Sequence, residues 1–155
     1  MPLFRETFTA PEVEEAMERL APADRDQMFE IGRLGGDHWQ RTLVTSRLSF
    51  AREDASRAAA AEFAAEGFTV DVTAGEREGA PWALRAEIVI MIPAPNVDAL
   101  CTFARDAAGR HGGTFEGWDV MLVQSKYGRS VARQLALEEM MTKMRKLMPW
   151  RRQKT

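Results

Sequence analysis

The sequence predicts an α+β fold, a ferredoxin-like βαββαβ sandwich with a four-stranded antiparallel sheet and helical extensions at both ends. Four segments between residues 42 and 123 alternate apolar and polar side chains, as half-buried strands do. A segment with helical periodicity follows the first of them and another follows the third, so the order indicates two βαβ units. With 155 residues, 45% of them hydrophobic, the chain is long enough to bury a core without a metal ion or a disulfide.

Two short helices are predicted ahead of the sheet, in an N-terminal helical arm over residues 1–36. Thr9 and Glu12 form a capping-box pattern, in which a hydroxyl and a carboxylate accept hydrogen bonds from the backbone N–H groups that have no intrahelical partner at the start of a helix. A helix from about residue 10 to residue 20 is therefore expected. A second helix, over residues 24–34, ends where two glycines break the pattern.

The first βαβ unit begins with a strand over residues 42–50, whose alternate positions are mostly apolar. An alanine-rich helix over residues 52–66 follows, with acidic residues in its first turn, where the helix dipole favours anions. Gly67 ends this helix, since glycine readily adopts the left-handed conformation common after helices. Residues 68–73 alternate again and form the second predicted strand.

The second βαβ unit repeats this order. Residues 82–92 carry apolar side chains at every alternate position, which is the strongest strand pattern in the chain. Two prolines end the strand, and apolar residues then recur at helical spacing from Val97 to about Arg110. A last strand is predicted over residues 114–123.

This last strand contains the segment Phe115-Glu116-Gly117-Trp118-Asp119, whose alternation is interrupted. Trp118 shares one face with the apolar residues that follow it at alternate positions, but Phe115 is out of step with this alternation and would point to the other face. We therefore predict a β-bulge at Gly117. Glu116 and Asp119 flank the tryptophan, and two carboxylates can act as general acid and base, although at this spacing on a regular strand they point to opposite faces.

A C-terminal helix is predicted from about Ser130 to Met148, within a basic, methionine-rich segment over residues 125–155. Its apolar stripe must be covered by the chain's own body, a second copy, a partner protein or an anionic membrane surface. The stripe consists of Leu137, Met140, Met141, Met144, Leu147 and Met148, and the cations Lys143, Arg145 and Lys146 lie beside it.

The charge of the chain is divided between an acidic body and this basic tail. Residues 1–123 contain 12 basic and 21 acidic residues, a net charge of −9, whereas residues 124–155 contain 9 basic and 2 acidic residues, a net charge of +7. An acidic body disfavours direct nucleic-acid binding, which needs a surface that neutralises phosphates. The longest apolar stretch, residues 88–95, is too short to span a bilayer, and the N-terminal residues lack the pattern of a secretory signal, so we expect a cytoplasmic protein.

Residues able to carry out catalysis or to bind a metal ion are scarce. His38 and His111 have no second ligand at a metal-binding spacing, and the single cysteine, Cys101, lies on the apolar face of its predicted helix. The glycine clusters lack the order of a phosphate-binding loop. We predict no catalytic residue, no metal site and no cofactor.

Several of these segments together resemble the RraB family, the regulators of ribonuclease E activity. The resemblance rests on Arg47-Leu48-Ser49-Phe50, the alanine-rich helix, Glu66-Gly67-Phe68-Thr69-Val70 and the run from His111 to Asp119, in this order. It covers roughly residues 39–123, and Phe115-Glu116-Gly117-Trp118 is its most specific part. It implies a ferredoxin-like α+β sandwich and a non-enzymatic protein that inhibits ribonuclease E by binding it, which changes RNA turnover.

The resemblance makes a protein-interaction regulator the first hypothesis, with a protein partner such as ribonuclease E and an RraB-like domain over residues 37–124. Family members are acidic throughout, whereas this chain adds the helical arm and the basic helix. The candidate interaction residues are Phe115, Glu116, Gly117, Trp118, Asp119, Met141, Lys143, Met144, Arg145 and Lys146.

Two alternatives stay open. In one, the protein is a small-ligand-binding or enzymatic domain in which Trp118, Glu116 and Asp119 line a pocket. In the other, it is an adaptor that docks through its basic C-terminal helix. A homodimer is compatible with each of these hypotheses.

Overall fold

The computed structural model describes residues 2–121 and residues 140–141 of the chain. Residues 2–121 form four helices and four strands. In chain order they are α1 Ala10–Arg19, α2 Pro22–Arg33, β1 Thr42–Phe50, α3 Glu53–Ala65, β2 Thr69–Thr73, β3 Trp82–Ile90, α4 Ala94–Arg110 and β4 Thr114–Val120. The predicted α+β class is confirmed, and the elements from β1 onward follow the predicted order βαββαβ.

The four strands form one antiparallel sheet in the order β2-β3-β1-β4. Each βαβ unit is split by a strand of the other unit, because β3 lies between β1 and β2, and β1 lies between β3 and β4. Both connecting helices, α3 and α4, contact the sheet and each other. β4 is an edge strand as a result, and it pairs only with β1 among the described strands.

The alternation of β1 decides which face of the sheet is buried. Its buried side chains are Thr42, Val44, Ser46, Leu48 and Phe50. On α3, Ala59 and Ala60 are buried, and their small side chains allow a helix to lie close to its neighbours. Phe63 completes this layer, with its ring 5.0 Å from that of Phe68 and 4.9 Å from that of Phe103.

The N-terminal helices pack onto the sandwich and share its core. The hydroxyl of Thr9 accepts the N–H of Glu12 at 3.4 Å, and the carboxylate of Glu12 accepts the N–H of Thr9 at 2.8 Å, which confirms the predicted capping box. α1 lies against α4. The buried side chains that the arm adds to the common core are Ala16, Leu20, Met28 and Ile31. The arm's boundary at residue 36 stays a prediction.

The junction between β3 and α4 differs in extent from the prediction. β3 ends at Ile90, because the N–H of Ile92 donates to the carbonyl of His38 at 3.0 Å, outside the sheet. α4 begins at Ala94 rather than near Val97, so the second proline, Pro95, lies in its first turn. Proline suits this position, since the first N–H groups of a helix have no intrahelical acceptor.

The predicted C-terminal helix over residues 130–148 lies outside the described residues, except for Met140 and Met141, which are helical and about half exposed. β4 ends at Val120, so Met121 of the predicted last strand lies beyond its end. The last two residues of the predicted strand, 122–123, lie outside the described residues. No helix in the described part of the chain is both long and apolar enough to cross a membrane.

Candidate functional site

A bulge on the edge strand shapes the predicted interaction segment. Arg47 of β1 is paired with Gly117, whereas the next residue, Leu48, is paired with Phe115, so Glu116 has no partner on β1. Gly117 has a φ of +139°, a backbone conformation that residues other than glycine rarely adopt. The predicted β-bulge at Gly117 is therefore confirmed. It brings Phe115 and Trp118 to the same face of the sheet, although residues three positions apart on a regular strand point to opposite faces.

Trp118 lies at the centre of this site and is buried, with 3% of its surface exposed. Its indole N–H donates to Oδ1 of Asp24 at 3.1 Å. Its backbone carbonyl accepts a hydrogen bond from the side-chain amide of Gln27 at 3.1 Å. Both partners belong to α2, so the tryptophan joins the edge strand to the N-terminal arm.

Asp24 also connects the site to α4. Its Oδ2 accepts a hydrogen bond from the guanidinium of Arg105 at 2.6 Å, and only 7% of its side chain is exposed. The same guanidinium lies over the ring of Phe115, 5.5 Å from the ring centroid. One buried carboxylate thus holds β4, α2 and α4 together, and the indole and the guanidinium satisfy both of its oxygens.

Sequence reasoning missed Asp24 and Arg105. An acidic residue in the first turn of a helix is common, because it complements the helix dipole, and nothing around Asp24 in the sequence marks it as buried. Its partners lie 81 and 94 residues away. The only local sign of a special position was the interrupted alternation around Gly117.

The two carboxylates of the segment are exposed and do not converge with Trp118. Asp119 pairs with Thr45 on the face of the sheet opposite to Trp118, and its carboxylate forms an ion pair with Arg47. Glu116 lies at the bulge and is also exposed. The structure therefore buries Trp118 in the core, packs Phe115 against the core from the same face, and leaves Glu116 and Asp119 at the surface. Lys143, Met144, Arg145 and Lys146 lie outside the described residues, and Met141 is half exposed.

The remaining titratable groups singled out by the sequence have structural partners. Cys101 is 1% exposed, and burial raises the pKa of its thiol far above the usual range, with the charge of Asp24 adding to the effect. Nε2 of His38 lies 3.1 Å from the carbonyl oxygen of Met28. Among the described residues, no group of three or more histidine, cysteine, aspartate or glutamate side chains could hold a metal ion.

His111 has a carboxylate partner on α3. Its Nε2 lies 2.5 Å from Oε2 of Glu62, and Arg110 donates to Oε1 of Glu62 at 2.7 Å. Burial raises the pKa of Glu62, but the hydrogen bonds from Arg110 and His111 outweigh this effect and leave the pKa below its usual value. The cluster fastens the C-terminal end of α4 to α3.

A surface cavity of about 570 Å³ lies at the junction of α1 and α2. Val13 and Met17 supply its apolar part, and Glu14, Glu18 and Arg25 supply its polar part. Arg25 donates to the backbone carbonyls of Glu18 and Leu20, which caps the end of α1. The cavity lies in the arm and none of its lining residues belongs to the segment around Trp118.

Comparison with known proteins gives one family. No curated protein matches the chain. The sequence matches the family described as RraB, "Regulator of ribonuclease activity B", over residues 23–120. This match covers more than half of the chain and extends from the first turn of α2 to the end of β4, so it includes both Asp24 and Trp118. The chain therefore belongs to the RraB family of ribonuclease regulators.

Proposed function

We propose that the protein is a non-enzymatic regulator that binds ribonuclease E in the cytoplasm and lowers its cleavage of RNA. The observation that carries this proposal is the family match over α2 and the whole βαββαβ sandwich. Regulation of a ribonuclease is the family's described role. Inhibition through direct contact with ribonuclease E is what the resemblance implies, and it is the finer part of the proposal.

The charges of the body support a protein partner rather than RNA. Residues 2–121 contain 12 arginines and no lysine, against 21 acidic residues. In the described part of the chain, ten of these arginines form ion pairs with the protein's own carboxylates. Few cations remain to neutralise phosphates, whereas the excess of carboxylates favours encounter with a basic segment of a partner.

We place the contact at the edge strand β4. Its outer side pairs with no described strand. Glu116 is exposed at the bulge, and Asp119 is exposed on the open face of the sheet, where it pairs with Arg47. Phe115 and Trp118 support the strand from inside, because they pack beneath it and are tied to Asp24 and Arg105. A rigid, acidic edge strand is a suitable surface for a basic partner segment through its charges.

The test compares two double variants that change the net charge equally. E116K/D119K reverses the charges on β4, whereas E76K/E78K reverses two exposed charges in the loop between β2 and β3, at the opposite edge of the sheet. We expect E116K/D119K to weaken binding to ribonuclease E about tenfold at low salt, and the control to weaken it only slightly. Thermal unfolding verifies that both variants fold. Equal loss in both would contradict the placement on β4, and a wild-type chain that does not bind would contradict the function.

The basic tail supports a second proposal, that the chain is an adaptor docking through its C-terminal helix. The net charge of +7 over residues 124–155 contrasts with the body's −9, so the two parts favour different partners. The residues involved would be Met141, Lys143, Met144, Arg145 and Lys146. In the full-length chain, K143Q/R145Q/K146Q would then abolish partner binding while E116K/D119K preserves it. Sedimentation of the same proteins would reveal a homodimer.

A further inference from the structure

The residues that precede α1 lie against the helices of the sandwich. We call residues 3–8 the N-terminal strap. Leu3 and Phe4 pack against the hydrophobic core, and the ring of Phe4 meets the edge of Phe68 with 6.0 Å between the ring centroids. Phe68 follows α3 and is itself 5% exposed. The strap lies outside residues 23–120, so the family match does not account for it.

A buried asparagine holds the strap by its backbone. Asn96, in the first turn of α4, is 2% exposed. Its Oδ1 accepts the N–H of Arg5 at 3.1 Å, and its Nδ2 donates to the carbonyl of the same residue at 2.9 Å. Nδ2 also donates to the carbonyl of Met91 at 2.9 Å, which fixes the orientation of the amide. Two bonds to one residue are the pattern by which a β-strand binds an extended neighbour.

Phe68, which the ring of Phe4 contacts, belongs to a cluster of aromatic rings in the core. Phe68 and Phe103 are stacked, with 6.2 Å between centroids and 6° between ring planes, and Phe63 lies edge-on to both. This surface accepts a large apolar side chain. The next side chain of the strap is directed to the surface, where the guanidinium of Arg5 pairs with Glu12 at 3.2 Å and lies 4.8 Å from the centre of the Phe8 ring.

These contacts specify a type of ligand. The aromatic cluster selects a large apolar residue, the amide of Asn96 recognises the backbone of the following residue whatever its side chain, and Glu12 favours a cation at that position. None of the contacts requires that the ligand belong to the same chain. Covalent attachment gives the strap a local concentration of roughly millimolar, so an external segment competes only when the strap is weakened or displaced.

We propose that the groove between the end of α3 and the start of α4 is a binding site for an extended peptide, which the strap occupies in cis. Its external ligand is a partner segment with a large apolar residue followed by arginine or lysine. This inference rests on the proposed function in one respect: the partner is the regulated nuclease. The strap then acts as a competing internal ligand that limits access to the groove.

The experiment uses full-length chains and a fluorescent peptide of residues 2–9. The variant F4A removes the ring that packs against Phe68. The variant R5P keeps Phe4 but removes the backbone N–H of residue 5, which donates to Oδ1 of Asn96. We expect the peptide to bind both folded variants at least about tenfold more tightly than the wild-type chain. A peptide carrying F4A should not bind any of them.

Two results would overturn the proposal. If the peptide does not bind F4A and R5P chains whose circular dichroism matches that of the wild type, the groove is not a peptide site. The same conclusion follows if the F4A peptide binds as tightly as the wild-type peptide. The peptide assay contains no nuclease, so a negative peptide result leaves the proposed function intact. In the same way, a chain that does not bind the nuclease leaves the peptide result unchanged.

Discussion

The indole N–H of Trp118 donates to Oδ1 of Asp24 over 3.1 Å, and this buried hydrogen bond joins β4 to α2 across 94 residues of chain. Arg105 of α4 occupies the other oxygen of the same carboxylate. Both residues lie within residues 23–120, the region that matches the family. The hydrogen bond keeps the bulged strand, with its exposed carboxylates, in a fixed position.

Replacing Asp24 tests this connection. In D24A the indole N–H is left buried without an acceptor and Arg105 loses its carboxylate, so we expect the free energy of unfolding to fall by about 2–3 kcal/mol. D24N keeps an acceptor for the indole but loses the charge, and should cost about half as much. Urea titration measures both, with D26A on the exposed side of α2 as the control. A D24A chain as stable as D26A would contradict the role given to Asp24.

Sequence patterns predicted the sheet because side-chain alternation has a period of two and does not depend on the neighbouring strands. They also predicted the bulge, since Phe115 and Trp118 could reach the same face only if one residue were skipped. They could not predict how Asp24 pairs with Trp118, or how Asn96 binds the backbone of Arg5, because these contacts join residues more than 90 positions apart. Such contacts depend on how the arm lies on the sandwich, which no local pattern describes.

The start of α4 shows a similar limit. Pro93 and Pro95 predicted the end of a strand, and they do follow it, but a proline fits the first turn of a helix equally well. The helix could therefore begin earlier than its apolar periodicity indicated. Local rules fixed the type of each element here, while tertiary hydrogen bonds, such as that of Ile92 with His38, fixed the boundary.

Gly117 should tolerate alanine poorly. Its φ of +139° disfavours any side chain, and a Cβ atom there would lie 3.3 Å from the guanidinium of Arg47. We expect G117A to lower the free energy of unfolding by about 1–2 kcal/mol. The matched control is G109A in α4, where a Cβ meets no atom within 4 Å and alanine favours the helix. Thermal unfolding of both variants provides the comparison, and equal stability would argue against strain at the bulge.

The Glu62 cluster predicts a pH-dependent contribution to stability. Hydrogen bonds from Arg110 and His111 hold the pKa of Glu62 below its ordinary value of 4.5 in the folded state. The carboxylate therefore stabilises the fold above about pH 4.5, and this contribution is lost as the pH falls through the lower folded pKa.

We expect E62Q to be less stable than the wild type by about 1 kcal/mol near neutral pH. The difference should shrink steadily as the solution is acidified below 4.5. Urea titrations across this pH range measure it, with E66Q, at the exposed end of the same helix, as the control. A difference between E62Q and the wild type that is independent of pH would rule out the carboxylate as its cause.

Cys101 should be unreactive in the folded protein. Burial raises the pKa of its thiol, and the charge of Asp24 adds to this, so the thiolate that reacts with disulfide reagents is scarce. We expect labelling by such a reagent at mildly alkaline pH to be very slow until urea unfolds the chain. The chain has one cysteine, so the signal has a single source. Rapid labelling of the native protein would show that the thiol is accessible and would reopen a chemical role for it.

Inhibition of ribonuclease E is tested by the initial rate of RNA cleavage, measured at low salt while the full-length protein is titrated into the reaction. The same protein is incubated with the RNA alone and analysed by gel shift. We expect saturable inhibition that weakens with added salt and persists when the RNA concentration is raised, together with no shift of the RNA. An unchanged cleavage rate at every protein concentration, or inhibition that accompanies a shifted RNA band, would contradict this expectation.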